Sequence, residues 1–483
     1  VTHLRISTLL LAAVITTQPS TAQSVADHPR VKEATAVLEK WLDAERGFKR
    51  IPGISAAVVF DQEVVWQGGF GFADLERRTP ATPTTLYSIC SISKLFTSIA
   101  LMQLRDQGKV RLDDPVSKHL HWFKIKNPSP EAGEVTVEGI LTHAAGLPRE
   151  AAYPYWSAPS FEFPTREQII GAVSSQEMLY RPETYFQYSN LGLTLAGEIV
   201  AAASGRGYGD YVRANLLEPL GLKDTHPEMP ASERGRRLAT GYGPWGREGE
   251  RRALPFFETK GIAPAAGYAS TALDLARFAS WQLRLLRKGG SEVLAANTLR
   301  EMHRVHFMDP DWETTWGLGF QVWRNDNRTF VGHGGSCPGY QTQLLLKPDE
   351  KVATIAMANA IDVNASGLAL RAFDLLAPAL KAAAADSGPA KAADPALEPY
   401  LGTYASSFGG ELTFVRWEGG LGSLYLPSDN PVRAITKYRK VGDHTFKRVR
   451  RDGELAEAIS FDLGSEGRAT RVRMNYNVMP RIR

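Results

Sequence analysis

The strongest constraint on the fold is where the β-rich sequence lies. Ile54–Phe60 and Glu63–Phe70, separated by Asp61-Gln62, read as a hairpin. Comparable runs return only much later, at Leu318–Trp323, Thr329–Val331, Gln341–Leu346 and Val352–Ala358. Between them, from about Ser91 to Ala296, the apolar spacing is mainly helical, broken by Pro- and Gly-rich loops at 127–133, 146–164 and 226–267. The early hairpin therefore pairs with the late strands across a helical insertion, and one sheet is assembled from both ends of the segment. That is an α+β architecture rather than βαβ repetition. Residues 25–380 are expected to form one domain, with the sheet antiparallel and flanked by helices.

A second unit follows. Ala379–Ala396 (ALKAAAADSGPAKAADPA) is nearly all Ala, Pro, Gly, Lys and Asp, and residues 381–396 read as a linker. Beyond it come strand-like runs at Leu401–Tyr404, Glu411–Trp417, Leu421–Leu426, Val432–Tyr438, His444–Val449, Ala458–Leu463 and Thr470–Tyr476. Short strands with Gly turns between them predict a small all-β, barrel-like domain over 397–483. It carries 14 basic against 10 acidic residues, with seven of the basic ones between Lys437 and Arg451. Those charges read as the solvated outer face of strands.

At the other end, His3 and Arg5 precede the apolar run Leu9–Ile15, which is followed by Pro19, Ser20 and Ala22. The pattern is that of a cleavable export signal over residues 1–22, with a mature chain that starts near Gln23 and works in the periplasm or outside the cell. No Cys follows the run, so a lipid anchor is not expected. No apolar stretch approaches the length of about 18 residues that a membrane-spanning helix needs. A formal charge of +4 over 483 residues is too small to imply nucleic-acid binding.

Three short motifs carry chemistry. The first is Ser91-Ile-Ser-Lys94, at the head of an apolar helix. A lysine buried there is costly without partners, and residues three apart share a helix face, so the Lys94 amine can reach the Ser91 hydroxyl. The free N–H groups of a helix N-terminus suit developing negative charge. A serine nucleophile needs both features. The second motif is Tyr188-Ser-Asn190, just ahead of the apolar helix 191–203. The third is His333-Gly334-Gly335-Ser336, where glycines let a strand approach a ligand closely and His333 supplies a hydrogen bond or, if protonated, a charge that titrates between pH 5 and 8. Each motif alone is also what a helix cap, a core aromatic or a turn looks like.

In order, S-x-x-K, Y-x-N and H-x-G resemble the class C β-lactamase, DD-peptidase and family VIII esterase group of serine hydrolases. Ile140–Pro148, Glu218–Leu222, Gly267–Thr271 with Asp274, and Gly317–Phe320 resemble that group's connecting signatures as well. The resemblance implies a β-lactamase/transpeptidase-like fold and an acyl-serine mechanism. Ser91 would be the nucleophile, Lys94 its proton partner and Tyr188 the general base. Asn190 would orient Lys94 and contact a substrate amide, and His333, Gly334, Gly335 and Ser336 would bind substrate. The backbone N–H groups of Ser91 and Ser336 would form the oxyanion hole. His333 stands where β-lactamases carry a lysine, a form similar to soluble DD-carboxypeptidases and D-aminopeptidases. The expectation is hydrolysis of a small-molecule or short-peptide amide, with ester cleavage as a side activity and no metal or cofactor.

Cys90 directly precedes Ser91, and Cys337 directly follows Ser336. Export would allow a disulfide, but only with Cα atoms within about 7 Å; two free, largely buried thiols are the expectation. The close histidine pairs, His119/His121 and His303/His306, lack the acidic neighbours of a catalytic zinc site. No G-x-S-x-G elbow of the α/β-hydrolase kind occurs.

Overall fold

A computed structural model describes residues 24–386, 394–406 and 409–483. The expected export signal and the centre of the expected linker lie outside the described residues. Helix α1 (Pro29–Phe48) opens with proline in its first turn and buries Val31, Ala34, Leu38 and Trp41 on one stripe. Strands β1 (Gly53–Phe60) and β2 (Glu63–Asp74) form the expected hairpin, with Phe60 opposite Glu63. The helical insertion follows, and its long members are α2 (Ser93–Asp106), α3 (Asn190–Ser204) and α4 (Ala272–Lys288). Strands β3 (Gln321–Asn325), β4 (Arg328–Cys337), β5 (Tyr340–Lys347) and β6 (Val352–Ala358) then meander back. β6 pairs antiparallel with β1, Ile54 facing Ala358.

The sheet that results has nine strands, in the order Thr79–Pro80, β2, β1, β6, β5, β4, β3, Thr315–Trp316, Phe307–Met308. β1, β5 and β6 are buried along nearly their whole length, which is why they read as continuous apolar runs instead of alternating ones. One face packs against the helical insertion. The other is covered by α1 and by α5 (Ala365–Ala385).

Residues 381–385, expected to begin the linker, are instead the last turn of α5. Alanine is the strongest helix former, and Leu380 and Ala383 are buried against the core. A 3₁₀ helix, Pro395–Tyr400, leads into the C-terminal unit. There, β7 (Gly402–Ala405), β8 (Glu411–Trp417), β9 (Gly420–Leu426), β10 (Thr436–Gly442), β11 (Thr445–Val449), β12 (Leu455–Leu463), β13 (Ala469–Met474) and β14 (Asn477–Pro480) pair in simple chain order. The sequence had indicated one strand fewer, and had placed 432–435 in a strand. Those residues belong to a helical turn with proline at its first position, whose Asn430 cap accepts the Arg433 N–H.

The last residues return to the first strand, Thr403 N–H donating to Arg483 O at 2.9 Å and Ile482 N–H to Thr403 O at 2.8 Å, so the barrel is nearly closed. Tyr400, Tyr404, Phe414, Phe446 and Phe461 fill it. Lys437, Arg439, Lys440, Lys447 and Arg448 point to solvent while Tyr438 and Phe446 point inward. The barrel sits on α1 and α5, where Val415, Leu424 and Leu426 join their core and the Trp41 indole N–H donates to Ser428 O at 2.7 Å.

Candidate functional site

Ser91 lies in a 3₁₀ turn, Cys90–Ile92, that runs directly into α2. Buried Ser93 braces this turn, accepting the Tyr268 N–H at 3.0 Å and donating to Cys90 O. The Lys94 amine is fully buried and meets three oxygens: Asn190 Oδ1 at 2.7 Å, Ala265 O at 2.8 Å and Ser91 Oγ at 3.1 Å. Burial pushes Lys94 well below the usual lysine range, with the nearby Glu150 charge pulling it back up and Arg149 pushing it further down. The Asn190 and Ala265 oxygens accept from the amine and hold it against the Ser91 hydroxyl.

Asn190 is held from behind. Ser189 caps α3, accepting the Gly192 N–H at 2.9 Å, and its hydroxyl donates to Pro148 O at 2.7 Å. The Asn190 N–H donates to Arg149 O at 2.7 Å, and its side-chain Nδ2 donates to Glu150 Oε1 at 2.7 Å. A carboxylate accepts only, so Glu150 fixes the amide with its oxygen toward Lys94. The buried Tyr155 hydroxyl donates to the other Glu150 oxygen.

The Tyr188 hydroxyl is hydrogen-bonded to Ser91. Its half-buried ring has Lys94 Nζ and the Arg149 guanidinium each 4.9 Å from its centroid. His143, Trp316 and His333 surround it at 4.3, 6.0 and 6.1 Å between centroids. Burial raises the phenol above its ordinary range, and the Ser91 bond and Arg149 offset only part of that. Burial thus disfavours the charged forms of both the Lys94 amine and the Tyr188 phenol.

His333 lies on β4. Its Nδ1–H donates to Gly334 O at 2.5 Å; a carbonyl cannot donate, so Nδ1 carries the proton and Nε2 is left as an acceptor. Nε2 is buried without a partner among the described residues. Burial, then the Lys94 charge, push His333 down to about 3, so the expected titration between pH 5 and 8 does not occur at this ring. His143, which accepts the Ser189 N–H at 3.1 Å, is also held well below its usual range by burial.

β4 passes very close to the Ser91 turn. A Cβ on Gly335 would lie 2.2 Å from Ile89 O and 2.3 Å from Thr342 Oγ1, so only glycine fits. The same close passage brings Cys90 and Cys337 to 5.7 Å between Cα atoms, where they form a disulfide. Two free thiols had been expected, because chain spacing says nothing of this approach. The bridge ends directly beside Ser91 and Ser336. Ser336 is exposed, its hydroxyl accepting from Gln341 Nε2 at 2.9 Å.

The structure thus gathers Ser91, Lys94, Tyr188, Asn190, His333, Gly334, Gly335 and Ser336 around one cleft between the starts of α2 and α3 and strand β4. Sequence reasoning missed Glu150, Arg149, His143 and Trp316. Glu150 stands two residues beyond the Ile140–Pro148 segment, and Trp316 one residue before Gly317; neither has a spacing rule of its own. His119, His303 and His306 bond to Asp114, Gln282 and Glu138, respectively.

Comparison with known proteins agrees with this geometry. The sequence model of the family described as Beta-lactamase matches residues 38–379. A human protein named putative beta-lactamase-like 1 is 28% identical over 421 residues, 83% of this chain and 80% of that protein. The unguisins hydrolase ungD' of Aspergillus campestris is 28% identical over 340 residues; the match takes in 66% of this chain and 61% of that hydrolase's length. Among solved structures, the octameric penicillin-binding protein homologue from Pyrococcus abyssi superposes with a TM-score of 0.63 at 25% identity, covering 92% of this chain and 99% of that one.

Proposed function

The chain belongs to the β-lactamase family, and on that premise we propose that it is an exported serine hydrolase that cleaves small amide or short-peptide substrates, and esters, through an acyl-Ser91 intermediate. The observation that carries this reading is the three-oxygen cradle of the Lys94 amine, which holds it 3.1 Å from the Ser91 hydroxyl. In acylation, Lys94 Nζ takes the Ser91 proton as Oγ bonds to the substrate carbonyl carbon. The backbone N–H groups of Ser91 and Ser336 stabilise the oxyanion. The Tyr188 hydroxyl gives its proton to the leaving nitrogen or oxygen as that bond breaks, and is reprotonated from Lys94. Deacylation runs the same path backward, with water in place of the leaving group.

Neutral His333 offers an acceptor instead of a cation, which supports substrates that present an N–H or a water there over ones that present a carboxylate. That favours aminopeptidase-like amide cleavage and ester cleavage over carboxypeptidase or β-lactam chemistry. The disulfide supports an oxidising compartment and hence export. A rate panel of nitrophenyl esters, a chromogenic cephalosporin and D- and L-aminoacyl anilides tests the proposal. Turnover of an ester and an anilide, lost in Ser91→Ala, is the expected result. Full activity in Ser91→Ala overturns it, and a burst of acylation with no turnover would make the protein a sensor instead of an enzyme.

A further inference from the structure

Much of the large apolar surface gathers at one edge of the cleft. Leu179, Tyr180, Tyr185, Val305, Met308 and Trp312 are all exposed, Trp312 by 76%, and they stand on two short segments. The segments meet where the Phe186 N–H donates to Asp309 Oδ1 at 2.7 Å. Tyr180 and Tyr185 pack at 5.3 Å between centroids. Gly146 anchors the first segment to the loop that carries Glu150: it sits at φ 70°, a Cβ there would fall 2.1 Å from Tyr180 O, and its carbonyl accepts the Leu179 N–H at 2.8 Å. Trp312 is held by a turn, its N–H donating to Asp309 O at 2.9 Å.

This rim is continuous with the reacting groups. Phe186 packs 5.1 Å from Trp316, and Trp316 lies 6.0 Å from Tyr188 and 5.5 Å from His333. Along the chain, exposure decreases from Tyr185 inward, with Phe186, Gln187 and Tyr188 each part-buried. Exposed apolar clusters of this kind mark binding surfaces, because covering them releases water from apolar area. Their charged neighbours along the chain are Glu183, Asp309, Asp311 and Glu313 against Arg181 and Arg304, with Arg149 over Tyr188 in the cleft itself. The rim thus lacks the basic excess that would draw an anionic lipid surface.

We propose that this rim is a substrate subsite for a large, uncharged apolar group, an alkyl or aromatic extension of the same ester or amide that Ser91 cleaves. The proposal rests on the reading of Ser91 as the nucleophile and adds a substrate class to it. Two series test it, both used below their micelle concentrations: 4-nitrophenyl esters of lengthening acyl chain, and acetates of lengthening alkyl alcohols. In at least one series kcat/KM should rise tenfold or more from two to eight carbons. The Tyr185→Ser/Trp312→Ser double variant should flatten that rise while leaving the two-carbon rate unchanged, and Trp312→Phe should keep it.

A wild-type rate independent of chain length overturns the proposal, as does a slope that survives in the double variant. A rise absent below the micelle concentration and seen only when the same esters are taken above it would mark a surface-docking patch and overturns it too. Calorimetric binding of alkyl methyl ketones, which cannot be hydrolysed, separates the two readings. Affinity that grows with chain length and is lost in the double variant upholds the subsite even if Ser91 proves not to be the nucleophile. Affinity independent of length sinks the subsite and leaves the nucleophile standing.

Discussion

On the proposed mechanism, Lys94 sets the pH range in which the site works. As an ammonium it has no lone pair to offer Ser91, so kcat/KM should fall as pH drops through the Lys94 pKa, which burial holds well below 10.5. Glu150 opposes that shift. Removing its charge in Glu150→Gln should therefore move the acid limb of the profile to lower pH, while the new amide keeps an oxygen available to Asn190. Glu150→Leu leaves the Asn190 amide unheld and should cut kcat by about tenfold or more at every pH, the scale of an unsatisfied buried polar group. A common, pH-independent loss in both variants would assign Glu150 a packing role only. Tyr188→Phe should lower turnover by about 10²–10⁴, as expected when a positioned proton donor is lost. His333→Gln should change rate without changing the profile's shape between pH 5 and 8, since wild-type His333 is neutral there. The serine, amine, phenol and imidazole that the fold brings together were all legible from three motifs in order. Their protonation states were not, because those depend on burial and on Glu150 and Arg149, which reach the site through a loop whose path no motif specifies.

Among the elements, β4 controls the geometry of the cleft. Gly335→Ala puts a methyl group against the Ile89 carbonyl, so the strand must move away from the Ser91 turn. Overpacking of this kind costs about 1–3 kcal/mol. A lowered melting temperature, with kcat falling far more than KM rises, is the expected outcome; unchanged kcat would show that the strand's distance from Ser91 is not critical. The sheet was readable from sequence because β1, β5 and β6 are buried runs of apolar residues, and the first turn of the chain into β2 is a short hairpin. The linker was misjudged where composition and helix propensity coincide: Lys381 to Ala385 is low-complexity sequence and also a good helix end. The eighth barrel strand, Asn477–Pro480, is short and only partly buried, so it lacks the apolar signal that marked the others.

At the scale of the whole molecule, the barrel is fixed to the far side of the sheet from the cleft. Trp41 is its main anchor, buried to 2% exposure with its indole bonded to Ser428 O. Trp41→Ala should destabilise the protein by about 3–5 kcal/mol, measured by denaturant unfolding, while kcat of the folded enzyme stays near wild type. A large kcat effect would instead couple the barrel to catalysis. The two-unit division was visible in the linker's composition, but the docking was not, since it depends on three barrel residues whose burial only the assembled fold creates.

The Cys90–Cys337 bond spans 247 residues of sequence, and Lys94, Glu150, Tyr188 and Asn190 all lie inside the ring it closes. In chain-entropy terms a closure of that length restricts the unfolded state by about 5 kcal/mol. It also means that a protease nick in the exposed stretch 244–253 leaves two fragments joined. Such a cut protein would migrate as a single band until reductant is added, and would still hold every reacting group on one covalent frame.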